Sequence, residues 1–198
     1  MKIDFDDLDR RQCHELVVGM ISPRPIAWVS TVGEDGTFNL APFSFYGGVF
    51  SRPPMLCVSI ARRRGEKKDT IRNIEYTGDF VVNVVNDELA MAMNQTSADY
   101  PANVSEFKEV GLTPLASDKV RSPRVAECPI SMECKVVHIL ELGKEPNAGS
   151  LVVGEIVRAH VDDALFENGT IDPFRLEPIA RLGADLYCRI GHVFEMKR

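Results

Sequence analysis

A chain of 198 residues, 44% hydrophobic and 26% charged, has room for one substantial core and reads as a single soluble globular domain over residues 1–198. A formal net charge of −6 argues against a nucleic-acid partner, which calls for a basic field, and no apolar run nears the ~20 residues that span a bilayer. The acidic start MKIDFDDLDRR is unlike a secretory leader, and five scattered cysteines without a CxxC argue against disulfides and metal and for a reducing compartment, the cytoplasm.

In chain order, residues 11–20 are expected to form a short helix with Leu16 and Val17 on its apolar side. Pro23 and Pro25 then fix φ and exclude helix ahead of each, so Arg24 between them sits on a stiff, extended segment. Residues 26–32 have the β-branched and aromatic content of a strand, with the hydroxyls of Ser30 and Thr31 towards its end. Residues 33–37 read as a tight hairpin connection in which Asp35-Gly36 supplies positive φ. A second strand starts at Phe38, Pro42 marks a bulge or an edge within it, and Gly47-Gly48 loosens its far end. The third strand, 55–61, alternates. Leu56, Val58 and Ile60 face one way, while Cys57, Ser59 and Ala61 present a small face with room for something flat.

A basic loop follows and leads into a helix that Asp69 or Thr70 is expected to cap and Gly78 to stop. Residues 80–85 form a fourth strand, 88–97 look helical, and 98–128, divided by Pro101, Pro114 and Pro123, are irregular. Two long β-rich runs, 130–142 and 151–161, are joined by a turn at 146–149, and a last strand lies in the tail 179–196. Too few strands are separated by helices for a parallel βαβ sheet. The pattern is that of an antiparallel barrel with helical insertions.

The first candidate for chemistry is the basic loop. Arg62, Arg63, Arg64, Lys67 and Lys68 crowd into seven positions just before a helix start, whose free N–H groups and positive dipole end favour an anion. Thr70 adds a hydroxyl; the alternative is a solvated loop that keeps the chain soluble. Asn39, Ser44 and Ser59 offer polar partners to a flat heteroaromatic ring, or satisfy their own neighbours. Trp28, the sole tryptophan, is a core anchor or a wall beside a ligand. The four histidines lack metal-ligand spacing, and the absence of GxSxG, a P-loop and a helix-opening GxGxxG removes the corresponding hydrolase and dinucleotide-binding readings.

Taken in order, RPIAWVST (24–31), NLAPFSF (39–45), RPPMLCVSI (52–60), KKDTIRNI (67–74), GDFVVNVV (78–85) and the tail RLGADLYCRIGHVFEM (181–196) resemble the flavin reductase-like family, FMN-binding split-barrel proteins that include the flavoredoxins. The resemblance implies a mainly β fold with helical insertions, a six-stranded antiparallel Greek-key split barrel. It also implies a homodimer and non-covalent FMN. Carried onto this chain, it implies that Trp28, Val29, Ser30 and Thr31, with Asn39, Ala41, Pro42, Phe43 and Ser44, line the flavin. Ser59 would lie near the ring or ribityl chain and Lys68, Asp69 and Thr70 near the phosphate, with Arg24 and Arg62 as further phosphate or ribityl contacts. No residue is assigned a catalytic role. Many family reductases carry a Gly-Asp-His turn near flavin and nicotinamide; here the stretch reads NAGSLVVGEIV (147–157), without the histidine. The expected function is an FMN-binding oxidoreductase fed by NAD(P)H or a redox protein. The alternatives are a non-enzymatic FMN electron carrier and a split-barrel protein without flavin.

Overall fold

The computed structural model describes residues 1–144 and 148–197. Helix α1, Arg10–Met20, opens on a capping box in which Asp9 accepts the N–H of Gln12 and the Gln12 side chain accepts that of Asp9. The main sheet is built from β1 (Ala27–Val32), β2 (Phe38–Phe43), β3 (Tyr46–Ser51), β4 (Pro54–Ala61), β5 (Asp79–Val84), β6 (Ile130–Leu142) and β7 (Gly149–Val161). Its order is β2-β1-β5-β6-β7-β4-β3, antiparallel throughout. Helix α2 (Asp69–Thr77) links β4 to β5, while α3 (Ala90–Gln95) and α4 (Glu106–Glu109) lie in the long connection from β5 to β6.

The antiparallel split-barrel architecture is as expected, with seven strands in the sheet where six were expected. The additional one is β3. Gly47 and Gly48 do not fray the second strand but belong to this separate one, which pairs with β4 and carries a register irregularity between Gly48 and Phe50. Pro42 stands on β2, an edge strand, opposite Trp28 and in regular register, so the edge reading holds. The 33–37 connection closes through the Gly33 N–H to the Thr37 carbonyl at 2.9 Å, with Gly36 at φ +83°.

Two cores share β1. Val29 points into the barrel core with Phe43, Val58, Ile60, Ile71 and Phe80. Trp28 points the other way, into a second core with Leu40, Met93, Phe107 and Val125. Each such side chain contributes roughly 1.5–3 kcal/mol by leaving water. Close packing also fixes Gly154, since a Cβ there would lie 2.6 Å from the Phe80 ring.

The tail differs from the single strand expected. Two short strands, β8 (Ile179–Arg181) and β9 (Tyr187–Arg189), form a hairpin, and β8 also pairs with a two-residue strand at Arg24–Pro25. Residues 190–197 are exposed and outside regular structure. Of the expected 146–149 turn, residues 146 and 147 lie outside the described residues, and Gly149 already opens β7. No helix among the described residues is long and apolar enough to cross a membrane.

Candidate functional site

The start of α2 departs from the expected capping, and the departure makes a site. Lys68 is the N-cap, in extended conformation, and makes no side-chain cap bond. Asp69 and Thr70 are already helical and engaged elsewhere. Asp69 pairs with Arg72, and the Thr70 hydroxyl donates to Asn39 Oδ1 at 3.3 Å. Lys68 C=O takes the N–H groups of Ile71 and Arg72 at 3.1 and 3.2 Å, whereas those of Asp69 and Thr70 have no acceptor among the described residues. Open N–H groups at the positive end of a helix suit an anion.

Asn39, on β2, faces this helix start and is 7% exposed. Its Oδ1 is taken by Thr70, and its Nδ2 is buried without a partner. Leaving such a donor unmet costs roughly 1–3 kcal/mol, so an acceptor supplied from outside the chain accounts for its retention. Lys68 Nζ lies 5.4 Å from the centre of the Phe43 ring and has no carboxylate within 4 Å among the described residues. Burial foremost, then the neighbouring Arg63, holds its pKa below the usual lysine value, against the opposing pull of Asp99.

These groups line a cavity of about 100 Å³. From the expected set it gathers Asn39, Ala41, Pro42, Lys68, Asp69 and Thr70; it adds Arg63, Thr96, Ser97, Ala98, Tyr100 and Glu106. Arg63 meets Asp99 at 2.5 Å. At ~30 Å³ per water, the volume suits a phosphate-sized group and falls well short of the ~300–1,000 Å³ that encloses a whole cofactor. An ammonium, an amide NH₂ and two backbone N–H groups make the donor set of an oxyanion site.

The other expected residues lie outside this cavity. Arg24 is buried and structural. Its guanidinium donates to the carbonyls of Val18, Ile21 (2.5 Å) and Leu182 (2.7 Å) and to Ser44 Oγ (3.3 Å), which occupies Ser44 as well. Trp28 is fully buried, its Nε1–H donating to Thr96 Oγ1 at 2.8 Å, as a core anchor would. Val29 is core; Ser30 donates to the Pro123 carbonyl, and Thr31 Oγ1 accepts from Asn73 on α2 at 3.0 Å. Phe43 forms the apolar surface beneath Lys68. Ser59 lies on the half-buried small face of β4, as its alternation implies, with its N–H bonded to the Phe45 carbonyl at 2.8 Å. Arg62 meets Glu141 on β6 at 3.1 Å.

Sequence reasoning missed Tyr100 and Glu106 because they come from the stretch 98–128, where no periodicity signals structure, and Ser97 because it stands at the end of a segment read only as a helix. Arg63 was visible only as one of five clustered cations. The turn at Arg63–Glu66, with Arg64 and Gly65 both at positive φ, explains the cluster's shape: it is a two-residue hairpin.

Size is a poor guide elsewhere. A groove of about 890 Å³, bordered by Arg124, Glu127, His160 and Arg175, contains none of the expected residues. Beside it, Asp118, Glu133 and His160 bring potential ligand atoms within 4.8 Å of one another. Glu133 is fully buried, and its oxygens accept the N–H groups of Asp118 (2.9 Å) and Lys119 (2.6 Å) and meet His160 Nε2 at 2.6 Å. Burial opposes ionisation, but these bonds outweigh it and hold the carboxyl below its usual pKa. Asp118 in turn meets Arg158 at 2.6 Å, so the group is a charge network tying the 118–119 loop to β6 and β7.

The flavin reductase like domain model matches residues 19–177. An uncharacterized protein of Halalkalibacterium halodurans is 39% identical, covering all of this chain and 96% of its own length. The crystal structure of nitrilotriacetate monooxygenase component B from Bacillus cereus superposes with a TM-score of 0.96 at 37% identity, over 99% of this chain and 98% of that one. The 2-nitrobenzoate 2-nitroreductase NbaA of Pseudomonas fluorescens follows at 0.89 and 30%, over 100% and 96%. With the barrel, the match across most of its length and these relatives in agreement, the chain belongs to the flavin reductase-like family.

Proposed function

We propose that the protein is an FMN-dependent oxidoreductase, passing electrons from NADH, NADPH or a redox protein through FMN to an acceptor. The observation that carries this reading is the buried, unpartnered Nδ2 of Asn39 facing the uncapped start of α2 beside Lys68. These are the donors a terminal phosphate needs. Lys68, Asn39 and the N–H groups of Asp69 and Thr70 would hold that phosphate, with Ala41 and Pro42 as walls. FMN, when bound, supplies the electron and hydride chemistry. The chain's part is to bind and orient, and the Thr70–Asn39 and Asn73–Thr31 bonds serve it by fixing α2 to the sheet. That the structural relatives include a monooxygenase component and a nitroreductase supports the oxidoreductase class.

A cavity of this size takes the phosphate and no more than the adjoining end of the ribityl chain, so further cover over the flavin is assigned to a second copy, in a cytoplasmic homodimer. The test is an absorbance spectrum of the protein with added FMN, followed by anaerobic NADH and then NADPH. Flavin bands that stay with the protein and bleach with a nucleotide are expected. A second reading, a carrier reduced only by another protein, is favoured by the missing histidine in the 147–157 stretch; it predicts bound flavin that neither nucleotide bleaches. Protein that takes up no FMN overturns both.

A further inference from the structure

The phosphate-sized cavity contains a group that an anion site does not need. Glu106, on α4, lines it together with Asn39, Lys68 and Thr70. Its Oε2 accepts the Leu40 N–H at 2.9 Å, on the free edge of β2, and no other residue donates to this carboxylate among the described residues. Capping an edge N–H requires an acceptor but no charge; glutamine would do it without opposing a phosphate. Burial, foremost, also disfavours the charged form here and raises the carboxyl pKa. The charged groups around it are Arg63, Lys68 and Asp69, so the lining is two cations against two carboxylates, a poor balance for a site that binds phosphate alone.

Glu106 and the unmet Nδ2 of Asn39 line one cavity, an acceptor and a donor, and the two hydrogens of that NH₂ allow one bond to the phosphate and one to a group adjoining it. The ligand group that satisfies both is a hydroxyl, which gives one hydrogen bond and takes another. We infer that Glu106 is a specificity-determining residue that accepts a hydrogen bond from a ligand hydroxyl next to the phosphate, so that the site selects a phosphorylated polyol chain and not a bare anion. This rests on the flavin reading above, in which the ribityl chain is that polyol.

The experiment titrates wild type, Glu106→Gln and Glu106→Asp with riboflavin, FMN and inorganic phosphate, following flavin fluorescence and calorimetric heat. Gln keeps the cap on Leu40 but turns an NH₂ towards the cavity; Asp keeps the charge and shortens its reach. A hydrogen bond to a charged acceptor is worth roughly tenfold or more in affinity. Riboflavin is therefore expected to bind about tenfold more weakly to both variants. Inorganic phosphate should bind the Gln variant at least as well as wild type, because a like charge has gone. Riboflavin affinity that is unchanged or tighter in either variant, with wild type binding normally, overturns the role of Glu106 alone. Wild type that takes up neither FMN nor riboflavin overturns the flavin reading and this inference with it.

Discussion

Arg24 and Lys68 are both cations at the entrance to a regular element, yet they spend their charge in opposite ways. Arg24 gives four hydrogen bonds to its own chain, joining the end of α1, the loop after β2 and the tail across 158 positions of sequence. Lys68 has an aromatic face below it, no paired carboxylate among the described residues and a depressed pKa. One cation is consumed by folding, and the other meets no carboxylate within 4 Å among the described residues. A cation can serve binding only when its donors are left over.

The largest loss is expected at Arg24. Arg24→Ala leaves the Val18, Ile21 and Leu182 carbonyls without their donor and should cost about 3 kcal/mol or more, read as a lowered urea midpoint. FMN uptake per folded molecule should hold; loss of uptake without loss of stability would make Arg24 a ligand contact after all. Lys68→Ala should do the reverse, weakening FMN by roughly 10- to 100-fold, as for a charged hydrogen bond, while moving stability by no more than about 0.5 kcal/mol. Equilibrium dialysis against FMN measures the first and chemical unfolding the second.

Asn39→Ala removes the unmet donor and its bond to Thr70 together. FMN affinity should fall roughly tenfold, as for a hydrogen bond to a charged acceptor, with little change in unfolding midpoint because the lost bond is offset by the relieved donor. The smallest effect is with pH. Because Lys68 titrates below 10.5 in the folded protein, the folded state binds fewer protons than the unfolded one between that lowered value and 10.5. Stability without ligand should therefore rise slightly with pH in that window, while FMN affinity falls as the ammonium is lost. A fluorescence titration across the alkaline range in which affinity stays flat would remove Lys68 from the phosphate site.

Much of this was legible in the sequence, for identifiable reasons. Alternation in 55–61 gave the correct faces of β4 because a period of two survives wherever one face is buried. Gly78 closed α2 in the left-handed conformation, as its position required. The cap of α2 misled because Asp69 and Thr70 are both good caps in isolation, but Arg72, one turn on in the same helix, takes the Asp69 side chain and Asn39, across on β2, takes that of Thr70. Trp28 to Thr31 stood among the expected flavin contacts, yet their side chains are fully buried and Trp28, Ser30 and Thr31 hydrogen-bond inside the protein; β1 is buried on both faces, which a single strand's sequence does not disclose. Glu106 had no local signal at all. It reaches Leu40 across 66 positions from a four-residue helix.

The edge of the sheet at β2 has a consequence for how molecules of this protein meet. An open edge is a row of unpaired peptide groups on which another chain can grow the sheet. Here Pro42 has no N–H to offer, and the Leu40 N–H is already given to Glu106. The margin is thus stoppered at two of its six residues, and a neighbouring strand finds no continuous ladder there. The same carboxylate that lines the cavity also guards the sheet against uncontrolled extension at this margin.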